Sequence, residues 1–226
     1  METNKDYIEN IEGAERRYFF TPVTVEKRAE ENAEQELYTI EGYAAVFNKR
    51  ADLFWFEEEI LPGAFDEVLN DDVRCLFNHN PNYILARSVD GKGTLTLSVD
   101  SKGLKYSYVT PKRGYAIDLQ DAIETGDVSQ SSFAFRASEV IWKDAQNDDE
   151  KDLRQIKKIA QIYDVSPVTY PAYHDAEVGK RSYDQHKEQR KKDENKSGDN
   201  TSDKEKRASS LDVFEAQYLY NQNSKR

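Results

Sequence analysis

Apolar and polar positions alternate with a period of two along much of this chain, a pattern that predicts strands. Residues 15–28 carry short alternation with β-branched side chains. Residues 37–48, LYTIEGYAAVFN, form a second such run, with Gly42 as a bulge or a point of close approach. VRCLFNH predicts a strand ending at His79. Residues 93–109 predict a hairpin in which Leu95, Leu97 and Val99 point one way, Asp100 to Gly103 turn, and Leu104, Tyr106 and Tyr108 return. Two further strands are expected at 130–142 and 156–172. On the first, Ser131, Phe133 and Phe135 share one face while Ser132 and Ala134 share the other. On the second, alternation puts Ile162 and Asp164 on one face.

The period changes in two places. LPGAFDEVLN, residues 61–70, predicts a short helix, with Pro62 near its start and Phe65, Val68 and Leu69 on one face. Residues 114–127 give the clearest helix: Ala116, Leu119 and Ile123 fall at i, i+3 and i+7, and Gly126 supplies the stop. Many short strands with a few helices between them predict an α+β domain on an antiparallel sheet or barrel. Beyond residue 179 the pattern is lost. Residues 180–208 are low in complexity and highly charged, and are expected as a disordered linker. Residues 209–222 restore an apolar stripe of Leu211, Phe214, Tyr218 and Leu219, with Ser209 and Asp212 spaced as a capping box. The expected organisation is a domain over 1–179, a linker over 180–208 and a short amphipathic segment over 209–226.

Charge divides the chain in the same place. Residues 1–179 hold 20 Lys and Arg against 34 Asp and Glu, a net of −14, and the rest hold 12 against 9, a net of +3. An acidic domain repels phosphates, so no nucleic-acid partner is expected. No apolar run approaches the roughly 20 residues of a membrane span, and no signal-peptide core is present. A soluble, intracellular chain without a membrane partner is expected. Cys75 is the single cysteine, which leaves no disulfide framework and no cysteine-rich metal site. HExxH, paired CxxC, GxGxxG, the P-loop and GxSxG are missing, so neither a metal nor another cofactor is expected.

Three polar positions remain. His79 lies between Asn78 and Asn80, at a strand end and just before Pro81. Ser131 and Ser132 open an aromatic strand after a helix and turn. Asp164 interrupts an apolar β-forming run, where a buried carboxylate needs a cation or an imidazole as partner. Singly, each has a commoner explanation: a surface histidine in a turn, ordinary strand serines, an outward-facing acid.

Together they fall into a longer pattern. The order EGYAAVFN, EEILPGAFDEVL, LFNHNPNYILAR, TLTLSVDSKGL, GYAIDLQDAIETGDVSQSSFAF and IYDVSPVTYPAY resembles the prohead (capsid maturation) proteases of tailed bacteriophages, from about residue 15 to 178. That family looks related to the herpesvirus assemblins. The resemblance implies a small, mostly antiparallel β-barrel flanked by helices, with a serine nucleophile and a histidine base. Carried over by motif, the histidine is His79, the serine is Ser132 in SFAF, and the acid is Asp164. Ala134 stands where the family usually has glycine. Ser131 is the alternative nucleophile, one residue away. His174 is the alternative third member, since assemblins use a second histidine there; Asp164 is preferred because His174 follows a proline-containing turn.

The implied activity is a serine endopeptidase acting through an acyl-enzyme. Its implied substrates are the major capsid protein and the scaffold protein, with the chain itself as a further substrate and candidate dimer partner. It would act in the host cytoplasm, inside the forming prohead. The competing expectation is a non-catalytic scaffold or assembly module of the same fold.

Overall fold

A computed structural model describes residues 11–19, 22–28, 37–147, 149–170 and 176–197. Its strands are β1 (Ala14–Phe19), β2 (Thr24–Arg28), β3 (Leu37–Val46), β4 (Ala51–Asp52), β5 (Glu57–Ile60), β6 (Val73–Leu76), β7 (Ile84–Val89), β8 (Lys92–Gly93), β9 (Leu95–Val99) and β10 (Gly103–Val109). Helix α1 (Gly114–Glu124), strands β11 (Gln130–Lys143) and β12 (Leu153–Val168), and helix α2 (Ala176–Ser197) follow. The chain is α+β and mostly β.

One sheet runs β1-β11-β12-β6-β7-β8, with β5 also on β12 and β4 on β5. The other runs β2-β3-β10-β9. Among the described residues one isolated bridge, Phe47 with Ile60, links the two. Among the described residues pairing is antiparallel except where β12 runs parallel to β5 and β6 and at the Phe47–Ile60 bridge. No closed barrel is found among the described residues.

The core between the sheets is built by alternation. Tyr106, Phe133, Phe135, Ile40, Leu104 and Ile156 are all fully buried in it. Helix α1 closes it with Ala116, Leu119 and Ile123, the three positions its spacing indicated, and Gly126 ends the helix region at φ +87°. Gly42 is a point of close approach: a Cβ there would lie 2.6 Å from the Tyr106 hydroxyl.

Three expectations are corrected. Residues 15–28 form two strands, not one, and they belong to different sheets. Pro22 stands between them and has no N–H to give to a ladder. Residues 61–70 form consecutive three-residue turns instead of a helix: Ala64 donates to Leu61, Asp66 to Gly63 and Val68 to Phe65. Gly63 is left-handed at φ +86°, and the segment's other polar groups go to the edge of β12. Leu61 N–H donates to Ile156, Ala64 accepts from Ile159, and Asp71 Oδ2 accepts from Ile162, filling the gap between β5 and β6.

The third correction is α2, which occupies residues 180–197 of the expected linker. It is mostly polar, so its own burial is small, but it has a surface to dock on. Tyr183 is 5% exposed against Trp55 and Phe56, and His186 stacks on Trp142 at 4.6 Å. A helix with so few apolar residues is held by tertiary contacts, not by a continuous stripe. His174 and the amphipathic segment 209–226 lie outside the described residues.

Candidate active site

The site forms where three separate elements converge. Strand β11 brings Ser132, β12 brings Asp164, and the loop after β6 brings His79. Ser132 and Ala134 face away from the aromatic core, as alternation indicated. Ser131 faces Tyr106 on the other side, with its hydroxyl 2.8 Å from the phenol. The imidazole meets Ser132, and Ser131 meets the phenol.

Asp164 reaches the same face by a route the alternation did not indicate. Phe135 pairs with Ile162 and Ala134 with Asp164, so Tyr163 is an extra residue, a bulge on β12. A bulge reverses the facing of everything beyond it. Ile162 and Val165 therefore both lie in the core, while Asp164 turns to the face of Ser132. The expectation that Ile162 and Asp164 share a face is overturned by this one unpaired residue.

His79 depends on its asparagines. The strand stops at Leu76, and Asn78 and His79 both take left-handed backbone, at φ +54° and +56°. Asparagine and histidine are among the side chains most often found there, but two such residues in succession need surroundings that hold them. Asn78 donates its N–H to the Pro167 carbonyl at 3.1 Å, and its Oδ1 accepts the Thr169 N–H at 2.9 Å. Asn80 closes the turn by accepting the Asn82 N–H on its side chain at 2.9 Å. The parallel pairing of β6 with β12, Arg74 against Asp164, brings this loop beside the acid.

The resulting hydrogen bonds form one chain. His79 Nδ1 lies 2.6 Å from Asp164 Oδ1, and Nε2 lies 2.7 Å from Ser132 Oγ. Exposure is 7% for His79, 1% for Ser132 and 2% for Asp164. A carboxylate only accepts, so Nδ1 carries the ring proton and Nε2 offers its lone pair to the serine. Ser166, two residues along the strand, donates to the same Asp164 oxygen at 2.8 Å. Sequence reading missed Ser166, although its i, i+2 spacing from Asp164 was the available signal. Buried Cys75 lies alongside; burial, and then the charge of Asp164, push its thiol well up, so it stays neutral.

Ser132 Oγ has a second acceptor in reach, the Arg17 carbonyl of β1 at 3.0 Å, which competes with His79 Nε2 for its one hydroxyl proton. Around Arg17 lies a buried cluster with no sequence signal at all. Arg17 contacts Glu58 at 2.5 Å and Glu15 at 2.6 Å, and Arg154 contacts Glu58 at 2.6 Å and Glu15 at 2.7 Å. Burial pushes the Glu15 carboxyl up, but the two guanidinium groups outweigh that and hold it below its ordinary value.

For metals, Asp144, Asp152 and His186 are the one donor group among the described residues whose ligand atoms lie within 4.8 Å of one another. Arg190 lies 3.3 Å from Asp144 and 3.6 Å from Asp152, and already supplies their counter-charge.

A buried serine, imidazole and carboxylate in hydrogen-bonded series on a mostly-β α+β frame is the arrangement of a serine hydrolase. The chain belongs to the caudovirus prohead serine proteases: the model of that family matches residues 23–189, well over half of the chain. No curated protein and no solved structure matches it. Among the described residues no helix is long and apolar enough to cross a membrane.

Proposed function

We propose that this chain is an active serine endopeptidase in which Ser132 is the nucleophile, His79 the general base and Asp164 the orienting acid. The observation that carries the reading is the unbroken series Ser132–His79–Asp164, at 2.7 and 2.6 Å, drawn from three elements far apart in sequence. Ser132 Oγ attacks a peptide carbonyl carbon while Nε2 takes its proton. Asp164 holds the ring and stabilises the imidazolium. The imidazolium then gives the proton to the leaving amine, and water hydrolyses the acyl-enzyme with His79 again as base.

Family membership supports substrates within the prohead: the major capsid protein, the scaffold protein and the chain itself, cut inside the forming shell in the host cytoplasm. The test is co-expression with the neighbouring capsid protein, followed by intact-mass measurement of the products. A shortened capsid protein with the wild type, and none with Ser132→Ala or His79→Ala, is expected. Equal processing by all three sinks the reading.

One observation favours the alternative of a non-catalytic assembly module: Ser132 is almost fully covered, and part of the cover is β1. In an enzyme that cover has to be removed.

A further inference from the structure

Strand β1 lays an extended backbone directly against the Ser132 hydroxyl. It pairs along the outer edge of β11, with Tyr18 opposite Ser132 and Arg17 opposite Phe133. It is the terminal strand of its sheet. Its Arg17 carbonyl sits against the Ser132 hydroxyl. The segment also precedes residue 23, where the match to the family begins.

Both charged side chains of β1 that face Glu58 and Arg154 are held by paired contacts. The Arg17 guanidinium is held by Glu58 of β5 through two hydrogen bonds, at 2.5 and 3.0 Å. Glu15, two residues upstream, is held by Arg154 of β12 through two more, at 2.7 and 2.8 Å. Paired, charge-assisted contacts of this kind fix both position and residue type. A cavity of ≈ 300 Å³ continues beside Arg17 and Tyr18, walled by Ala51, Leu53, Glu58 and Ile60.

Resting on the protease reading above, we propose that Ala14–Phe19 is a substrate bound in cis and that Ser132 cuts the Arg17–Tyr18 bond. Glu58 and Arg154 then select other substrates: extended peptides with a basic residue before the cut and an acid two residues further upstream. The charges make the exchange tolerable. With Glu15 and Arg17 gone, Glu58 and Arg154 still pair with each other at 2.6 Å, so the emptied groove keeps neither charge alone.

The step balances with water as the only co-reactant. In the resting arrangement Ser132 has one proton and two acceptors in reach, the Arg17 oxygen and His79 Nε2. For attack its proton turns to His79 Nε2, and Oγ forms a bond to the Arg17 carbonyl carbon. The Arg17–Tyr18 C–N bond breaks, and the proton passes from His79 to the Tyr18 nitrogen. Water then releases residues 1–17 as a carboxylate and restores Ser132.

The purified full chain and its Ser132→Ala variant test this by intact mass and N-terminal sequencing. The wild type is expected to lose residues 1–17 and begin at Tyr18, at a rate independent of protein concentration, as an intramolecular cut requires. The variant is expected to stay whole. A peptide of residues 11–22 offered to the wild-type protein gives a second readout with the enzyme's own fold untouched. Cleavage after Arg17 is expected, with kcat/KM falling at least about 10-fold in the Arg17→Ala peptide and a few-fold in the Glu15→Ala peptide. An intact N-terminus, a cut at another bond, or substituted peptides cleaved as fast as the parent, in a protein that still processes capsid protein, overturns the proposal and leaves the protease reading standing. A chain that cuts neither itself nor the capsid protein overturns both.

Discussion

Asn78 accepts the backbone N–H of Thr169 at 2.9 Å and its hydroxyl at 3.2 Å, which ties the loop of His79 to the end of the strand that carries Asp164. His79 follows directly, in a left-handed backbone that these bonds hold in place. Asn78→Ala removes both bonds and puts a Cβ-bearing residue without a polar side chain at φ +54°, at a cost of about 1–2 kcal/mol. The expected outcome is a kcat lower by about 10- to 100-fold with KM little changed, since a misplaced base impairs chemistry more than binding. Steady-state kinetics on a peptide substrate check it.

Ser132→Ala and His79→Ala should each abolish cleavage, and the double variant should be no worse than either single one, because the two act as a unit. Asp164→Asn should keep the geometry but drop kcat by about 10⁴-fold, through the wrong imidazole tautomer. His174→Ala should keep near-normal activity. Activity lost with His174→Ala and kept with Asp164→Asn would move the third role to His174.

Ser131→Ala separates the two adjacent serines. It should stay active while losing the Tyr106 hydrogen bond, at about 1 kcal/mol of stability. Denaturant midpoints and activity, measured on one preparation, give both numbers.

Gly42→Ala tests the core beneath the site. The added methyl meets the Tyr106 ring and hydroxyl at 2.6 to 2.8 Å. Overpacking of about 1–3 kcal/mol is expected, together with movement of the Tyr106 contact to Ser131. A melting temperature unchanged from wild type would contradict this packing.

Acid should undock α2 before it unfolds the rest. Burial pushes the Asp144 carboxyl up, but the hydrogen bond from His186 and the charge of Arg190 outweigh it and hold the group below its ordinary value. A carboxyl lowered in the folded chain adds stability above its unfolded pKa and loses it as pH falls through the folded one. Docking should hold from neutral pH down to about 4 and weaken below that. Trp142, stacked on His186, reports it by fluorescence. Asp144→Asn should weaken docking at pH 7 and flatten the acid limb; an unchanged acid limb would remove Asp144 from the account.

Local periodicity was enough for the parts of this protein whose facing depends only on their own residues. Alternation sorts Ser131 with Phe133 and Phe135, and Ser132 with Ala134, and the i, i+3, i+7 spacing of Ala116, Leu119 and Ile123 sets the buried face of α1. The motif order was enough to name His79, Ser132 and Asp164 together. What the tertiary structure decided depends on partners far along the chain. The facing of Asp164 follows from the bulge at Tyr163, which exists only in register with β11. The turns of 61–70 follow from the open edge of β12 between β5 and β6. Helix α2 needs the Trp55, Phe56 and Trp142 surface before its few apolar residues can hold it. The carbonyl of Arg17 at the Ser132 hydroxyl carries no signature in its side chain, because a backbone group is the same at every position and only pairing of β1 with β11 gives it an address.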